Sequence, residues 1–431
     1  MYKRIQCLLV KALLILALPA ALCLITRDVS AEDVSASTSE GNPVVEFVKQ
    51  LNIYGYFSVR FEKSYSVPTV ADDVIVRSND PAEWSQPFFH LMIQSELGDD
   101  FKIFVNLNGD GGGAIDIRNL WGEYAPKDYL HLRAGKIYRT FGLYNEILDA
   151  VPTYIGIEPP ELFDKDHLIL SRTTNFMVSG RIPMGNGNFN YSLTNDNGEG
   201  DPFSNAFPIG YDLNYKFHQD DYTIGISGYG SNGPATSCVA LGDGSPSCGV
   251  LPWMSEDDFD VFGGYGEARV GPVLLQTEYW KSNHNALRDP ASVVTLVNEA
   301  GLNQNQIDRF LIDPSAPATE DNVNVIGDYE VKTWYIRAGY FIELKKGELI
   351  PYFQWDWYSN PEEIENKDFG GDAEAGASDD GTFNKSTIGI VYRPISSVAL
   401  KVDQSFHMFK LNGENVSYPE VRFDISYVFG Q

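Results

Sequence analysis

The chain has 431 residues, of which 43% are hydrophobic and 13% aromatic, and its formal net charge is −27. An acidic excess of this size repels nucleic acid phosphates, and no basic cluster offsets it, so nucleic acid is excluded as a partner. Beyond the N-terminus no stretch reaches the ~18–20 consecutive apolar residues of a helical span, which excludes a helical membrane bundle.

Residues 1–31 have the three parts of a secretory signal: Lys3, Arg4 and Lys11 at the start, an apolar run from Ala12 to Ile25, and Val29-Ser30-Ala31 as a small-x-small cleavage site. Its loss removes four bases and one acid and brings the mature charge to about −30. Residues 32–50 read as a periplasmic N-terminal lead. Two of the four cysteines leave with the signal. Cys238 and Cys248 remain, in a Gly/Ser/Pro-rich stretch with no CxxC and no nearby histidine. An exported pair of this kind reads as a loop disulfide, worth ~2–3 kcal/mol against the open loop, and not as a metal site.

From residue 51 onward one unit repeats. The first segment puts Leu51, Ile53, Phe57, Val59 and Phe61 on one face, and Asn52, Tyr54, Tyr56, Ser58, Arg60 and Glu62 on the other. Sixteen such segments follow one another, at 51–63, 86–97, 101–109, 114–125, 130–139, 174–183, 188–195, 208–218, 222–230, 258–270, 273–282, 328–342, 348–358, 384–393, 398–409 and 419–429. Every second connection is short, such as Gly98-Asp99-Asp100, Gly271-Pro272 and Pro394 to Ser397, and those between are mostly long. A soluble β-sandwich has no reason to sort its connections by size. A closed antiparallel barrel across the outer membrane does, with short periplasmic turns and long extracellular loops, an even strand number and both termini on the short-turn side. The segments 114–125 and 258–270 switch face midway, which predicts bulges there. The acids crowded into 359–383 read as a solvated, self-repelling loop rather than a divalent-cation site.

Alternation also assigns the lumen face. Arg60, Arg118, Arg133, Arg181, Lys216, Arg337, Arg393, Lys401 and Arg422 fall inside, together with Glu62, Glu96, Asp116, Asp212, Asp356, Asp403 and Asp424. The third long connection, residues 140–173, carries Glu146, Asp149, Glu158, Glu161, Asp164 and Asp166, with prolines at 159 and 160.

The run Ile117-Arg118-Asn119-Leu120-Trp121-Gly122-Glu123-Tyr124-Ala125-Pro126, then Leu130-His131-Leu132-Arg133-Ala134-Gly135-Lys136 and Phe141-Gly142, resembles porins of the phosphate-selective O/P type. Thr140 stands where relatives often have proline. The resemblance implies a sixteen-stranded passive pore embedded in outer-membrane lipid and passing small solutes or ions. It also implies a homotrimer, no cofactor, and a third loop that folds inward as a constriction. Phosphate specificity does not carry over, because a phosphate pore needs a dense line of bases and this wall is mixed. A basic wall facing an acidic loop points instead to a transverse field, and a carboxylate-lined constriction favours cations and polar neutral solutes. The C-terminal face Val421, Phe423, Ile425, Tyr427 and Phe429 resembles the assembly signal of such barrels, although Gly430 and Gln431 follow it.

An enzymatic reading finds little support. There is no GxSxG, the nearest approach being Gly225-Ile226-Ser227-Gly228-Tyr229, and the six histidines are scattered singly. The remaining alternative is a barrel that serves as a sheath for a partner chain or as a surface adhesin.

Overall fold

The computed structural model describes residues 51–71, 74–85, 87–109, 113–147, 150–161, 172–196, 208–219, 221–243 and 249–430. The signal at 1–31 and the lead at 32–50 lie outside them.

Sixteen long strands form one antiparallel ring. They are β1 (Leu51–Ser64), β2 (Phe88–Leu97), β3 (Phe101–Gly109), β4 (Ile115–Lys127), β5 (Leu130–Tyr138), β6 (Arg172–Met184), β7 (Gly187–Asp196) and β8 (Ile209–Phe217). The second half comprises β9 (Tyr222–Gly230), β10 (Met254–Val270), β11 (Val273–Arg288), β12 (Tyr329–Tyr340), β13 (Glu348–Ser359), β14 (Thr382–Ile395), β15 (Val398–Leu411) and β16 (Glu414–Phe429). Each strand pairs with its sequence neighbour. The ring closes where β1 meets β16, with Gly55 opposite Phe429 and Phe61 opposite Phe423, while its other edge pairs with β2. Closure leaves no unpaired edge, the condition a sheet must meet to sit in lipid.

The period-2 pattern decides which side meets lipid. On β1, Ile53 and Phe57 are 51% and 39% exposed on the outside, whereas Tyr56 and Ser58 are buried inside. Outward isoleucines and leucines continue around the ring at Ile103, Ile224, Ile226, Leu275, Ile336 and Ile388. Aromatic pairs sit outside near the short turns: Phe57 on Tyr427 and Phe101 on Tyr124, each at 4.7 Å between ring centres. This matches the girdle that amphipathic rings form at a membrane interface.

One detail agrees with the sequence reading and one differs. The bulge expected in β4 is present at Arg118, which the register skips between Ile117 and Asn119. The bulge expected within 258–270 is absent; the register of β10 is continuous there and shifts only between Met254 and Glu256. Phe259, Val261 and Tyr265 all point inward, and the apparent change of face arises because glycines at 263, 264 and 266 carry no side chain to mark it.

Above the barrel the long loops pack into a cap. The stretch after β11 contains helix α1 (Pro290–Glu299) and helix α2 (Gln304–Phe310). Asp289 caps α1 by accepting from the Ser292 amide, with Pro290 at the first helical position, and Asn303 and Gln306 form a capping box on α2. Val293, Leu296, Phe310, Leu311, Val323, Trp253, Ile364 and Ala375 share one apolar core. The acidic loop after β13 is therefore only partly solvated: Glu365, Asp368 and Asp380 are exposed, whereas Glu362, Glu363 and Asp372 are buried. Glu362 and Glu363 are 1% exposed; Glu362 takes Arg288 Nε and NH2 at 2.6 and 2.8 Å, and Gln306 donates to the Gly376 carbonyl at 2.8 Å. Pairing with arginine and apolar cover offset the self-repulsion that the composition implied. Among the described residues no group of acids, histidines or cysteines is arranged to hold a metal. Cys238 is disulfide-bonded, and Cys248 lies outside the described residues.

Candidate functional site

The loop that follows β5 turns into the barrel and packs along the far wall. Its first residues are fixed by backbone donors: Gly142 N–H donates to Ser227 Oγ of β9 at 3.1 Å, and Leu143 N–H to Glu278 of β11 at 3.1 Å. Gly142 has φ +64°, and a Cβ there would lie 2.1 Å from the Glu278 carboxylate, so any other residue would strain the backbone and push that carboxylate aside. Phe141 stacks on Trp280 at 4.1 Å. Tyr144 donates to Gln276 at 2.6 Å and accepts from Arg337 of β12. Burial pushes the Tyr144 phenol up to about 12, against the pull of Arg337, so it stays a neutral donor.

The middle of the loop is held by its carbonyls. Lys401 of β15, completely buried, donates to Val151 O, Tyr154 O and Gly156 O at 2.5, 3.1 and 2.7 Å. Arg393 of β14 donates to Thr153 O at 2.8 Å and pairs with Glu348 at 2.7 Å. Gly156, at φ +99°, turns the chain, and the next carboxylate enters a cluster of bases. Glu158 meets Arg60 of β1 at 3.2 Å, Lys385 of β14 at 3.1 Å, and Arg422 of β16. Glu161 meets Lys385 as well, and its amide donates to Asp356 of β13 at 3.3 Å. Between β5 and Glu161 the loop thus contacts β9, β11 to β16 and β1. In a ring of sixteen, β13 stands opposite β5, so the loop crosses the lumen.

Of the residues singled out from sequence, Arg60, Arg337, Arg393, Glu158 and Glu161 are brought together here. Arg133, Arg118 and Arg181 are not the counter-charges of Glu158 and Glu161. Arg133 is held on the near wall by Glu123, at 2.8 Å through Nε and 2.6 Å through NH2, and lies 4.1 Å over the Trp121 ring. Arg118 sits at the β4 bulge, and Arg181 lies in register opposite Asn190. Glu146 lies near Arg133 and Lys216 but also near the like-charged Asp212, and desolvation with that repulsion pushes its carboxyl up despite the two bases. Asp149, Asp164 and Asp166 lie outside the described residues.

Lys385 was missed by the sequence reading, although it shares the parity of Arg393 on β14, the signal that could have found it. Arg139, buried one residue beyond β5, was missed too; it pairs with Asp196 and lies 3.6 Å over Tyr229. One histidine has enzyme-like neighbours: Ser282 Oγ is 2.7 Å from His284 Nε2, and His284 Nδ1 is 2.6 Å from Asp257. All three are at most 3% exposed and the imidazole is stacked between Phe259 and Tyr329, so no substrate reaches the hydroxyl. The row is a buried polar rung of the wall.

The sequence matches no family model and no curated protein. Among solved structures the fold is similar to the anion-selective porin from Comamonas acidovorans, at a TM-score of 0.53 and 13% identity over 88% of this chain and 99% of that one. It is also similar to the outer-membrane-expressed OmpT of Vibrio cholerae, at a TM-score of 0.50 and 10% identity over 88% of this chain and 97% of that one. At these identities the likeness establishes the fold: the chain is an antiparallel sixteen-stranded β-barrel of the outer-membrane kind.

Proposed function

We propose that this chain is an outer-membrane diffusion channel for small polar solutes or ions, narrowed by the loop between β5 and β6. The observation that carries the reading is the seat of Glu158 among Arg60, Lys385 and Arg422. It fixes a loop across the lumen instead of leaving it outside, and a loop fixed there constricts any path through the barrel. The bases that hold the loop are engaged by its carboxylates and carbonyls, so they do not form a free anion ladder. This supports a porin without phosphate selectivity. It also argues against extending to this chain the anion selectivity named for the Comamonas barrel. A transverse field between the acidic loop and the basic wall is part of this proposal, and polar neutral solutes suffer least from it. The homotrimer implied by the O/P-type resemblance belongs to the same proposal.

Liposome swelling tests the channel. Purified protein in vesicles is expected to admit small sugars and amino acids. A folded barrel that admits neither would be a sheath or an adhesin instead.

A further inference from the structure

A continuous chain of charged contacts runs from the cap to the constriction loop, and it passes through one histidine. Helix α3 (Ala373–Ala377) lies in the cap, where Ala375 joins the apolar core and Gln306 of α2 donates to the Gly376 carbonyl. Its Glu374 carboxylate is 2.5 Å from Nδ1 of His407 on β15. The other ring nitrogen, Nε2, is 3.2 Å from Glu420 on β16, and the ring stacks on Tyr418 at 4.4 Å. Glu420 is 3.5 Å from Arg422, which holds Glu158; Glu158 in turn meets Lys385, which holds Glu161. In the β14–β15 register Lys385 stands directly opposite His407.

From this we propose that His407 is a positioning residue for the constriction loop, and that its protonation couples the extracellular cap to the width of the pore. The inference rests on the channel reading above. Glu374 from the cap, Glu420 and Tyr418 from β16, and Lys385 from β14 are the titratable groups that face the ring. Arg422, Glu158 and Glu161 follow as the next links. As imidazolium, His407 neutralises part of the charge on both Glu374 and Glu420. Once it loses the proton, those two carboxylates turn toward Lys385 and Arg422, the cations that clamp Glu158 and Glu161. Competition for them loosens the loop and detaches the cap from the wall. Among protein side chains, histidine alone makes such a change with its ordinary titration near neutrality.

Single-channel recording of the full chain in planar bilayers, from about pH 5 to about pH 10, tests this. Wild type is expected to show a step in conductance fluctuation as pH rises. His407→Gln, which cannot titrate, should lack the step and fluctuate at every pH. Glu374→Gln, outside the barrel wall, should also lose the step, and it serves as the readout if the His407 variant does not fold. A step that persists in Glu374→Gln, or in folded His407→Gln, overturns the coupling while leaving the channel intact. Wild-type protein that forms no pore at all overturns the channel reading, and this inference with it.

Discussion

At the scale of single residues, the inward seat of the loop after β5 is a matter of matched donors and acceptors. Lys401 satisfies three loop carbonyls in a dry setting, where each orphaned acceptor costs about 1–3 kcal/mol. Lys401→Met orphans three acceptors and should therefore destabilise the loop by about 3 kcal/mol or more on the same scale. The expected signs are noisier single-channel currents and faster protease cleavage within residues 150–161; a quiet, resistant variant would refute the role. Glu158 answers three bases at once. Glu158→Gln leaves them under-compensated, so the reversal potential in a salt gradient should move toward anions. The facing of these side chains was legible from alternation alone, since Arg60, Arg337 and Arg393 all point inward as their parity requires. Which of them the loop would reach was not legible. Parity assigns a face, whereas the partner strand depends on where the loop crosses, and nothing in residues 140–161 encodes that distance.

At the scale of elements, the strands were readable and the cap was not. Each strand carries its own two-residue period, a local signal that survives without knowledge of its neighbours. The cap core is assembled from the stretches 235–241, 250–254, 293–323 and 364–377, short apolar groups scattered among polar residues. Two helix signals were nevertheless present in the sequence, Asp289-Pro290 and the Asn303–Gln306 box. The cap also hangs on buried Glu362, which pairs closely with Arg288 and more loosely with Arg309. Arg288 gives two bonds to Glu362 and two to the carbonyls of Asn324 and Ile326, each of the latter at 2.7 Å. Removing Arg288 leaves Glu362 only the looser Arg309 contact at 3.6 Å and the Trp253 indole, so the cost stays below the ~3–5 kcal/mol of a fully uncompensated buried charge. Arg288→Met should make residues 289–328 and 360–381 sensitive to external protease while the barrel remains heat-modifiable on electrophoresis. Resistance equal to wild type would show that the apolar core holds the cap without the pair.

At the scale of the whole molecule, lipid outside and a filled, polar lumen inside dictate the same sixteen-fold alternation, and closure of β1 on β16 follows from the cost of an unpaired edge in hydrocarbon. On the channel reading proposed above, the loop is the feature that separates an open barrel from a narrow one. The most direct measurement is single-channel conductance and reversal potential of a variant lacking residues 144–161, compared with wild type in the same bilayer. The account predicts a larger conductance and a changed ion preference, as Arg60, Lys385 and Arg422 lose their counter-charge and the lumen opens. Conductance and ion preference identical to wild type would contradict it.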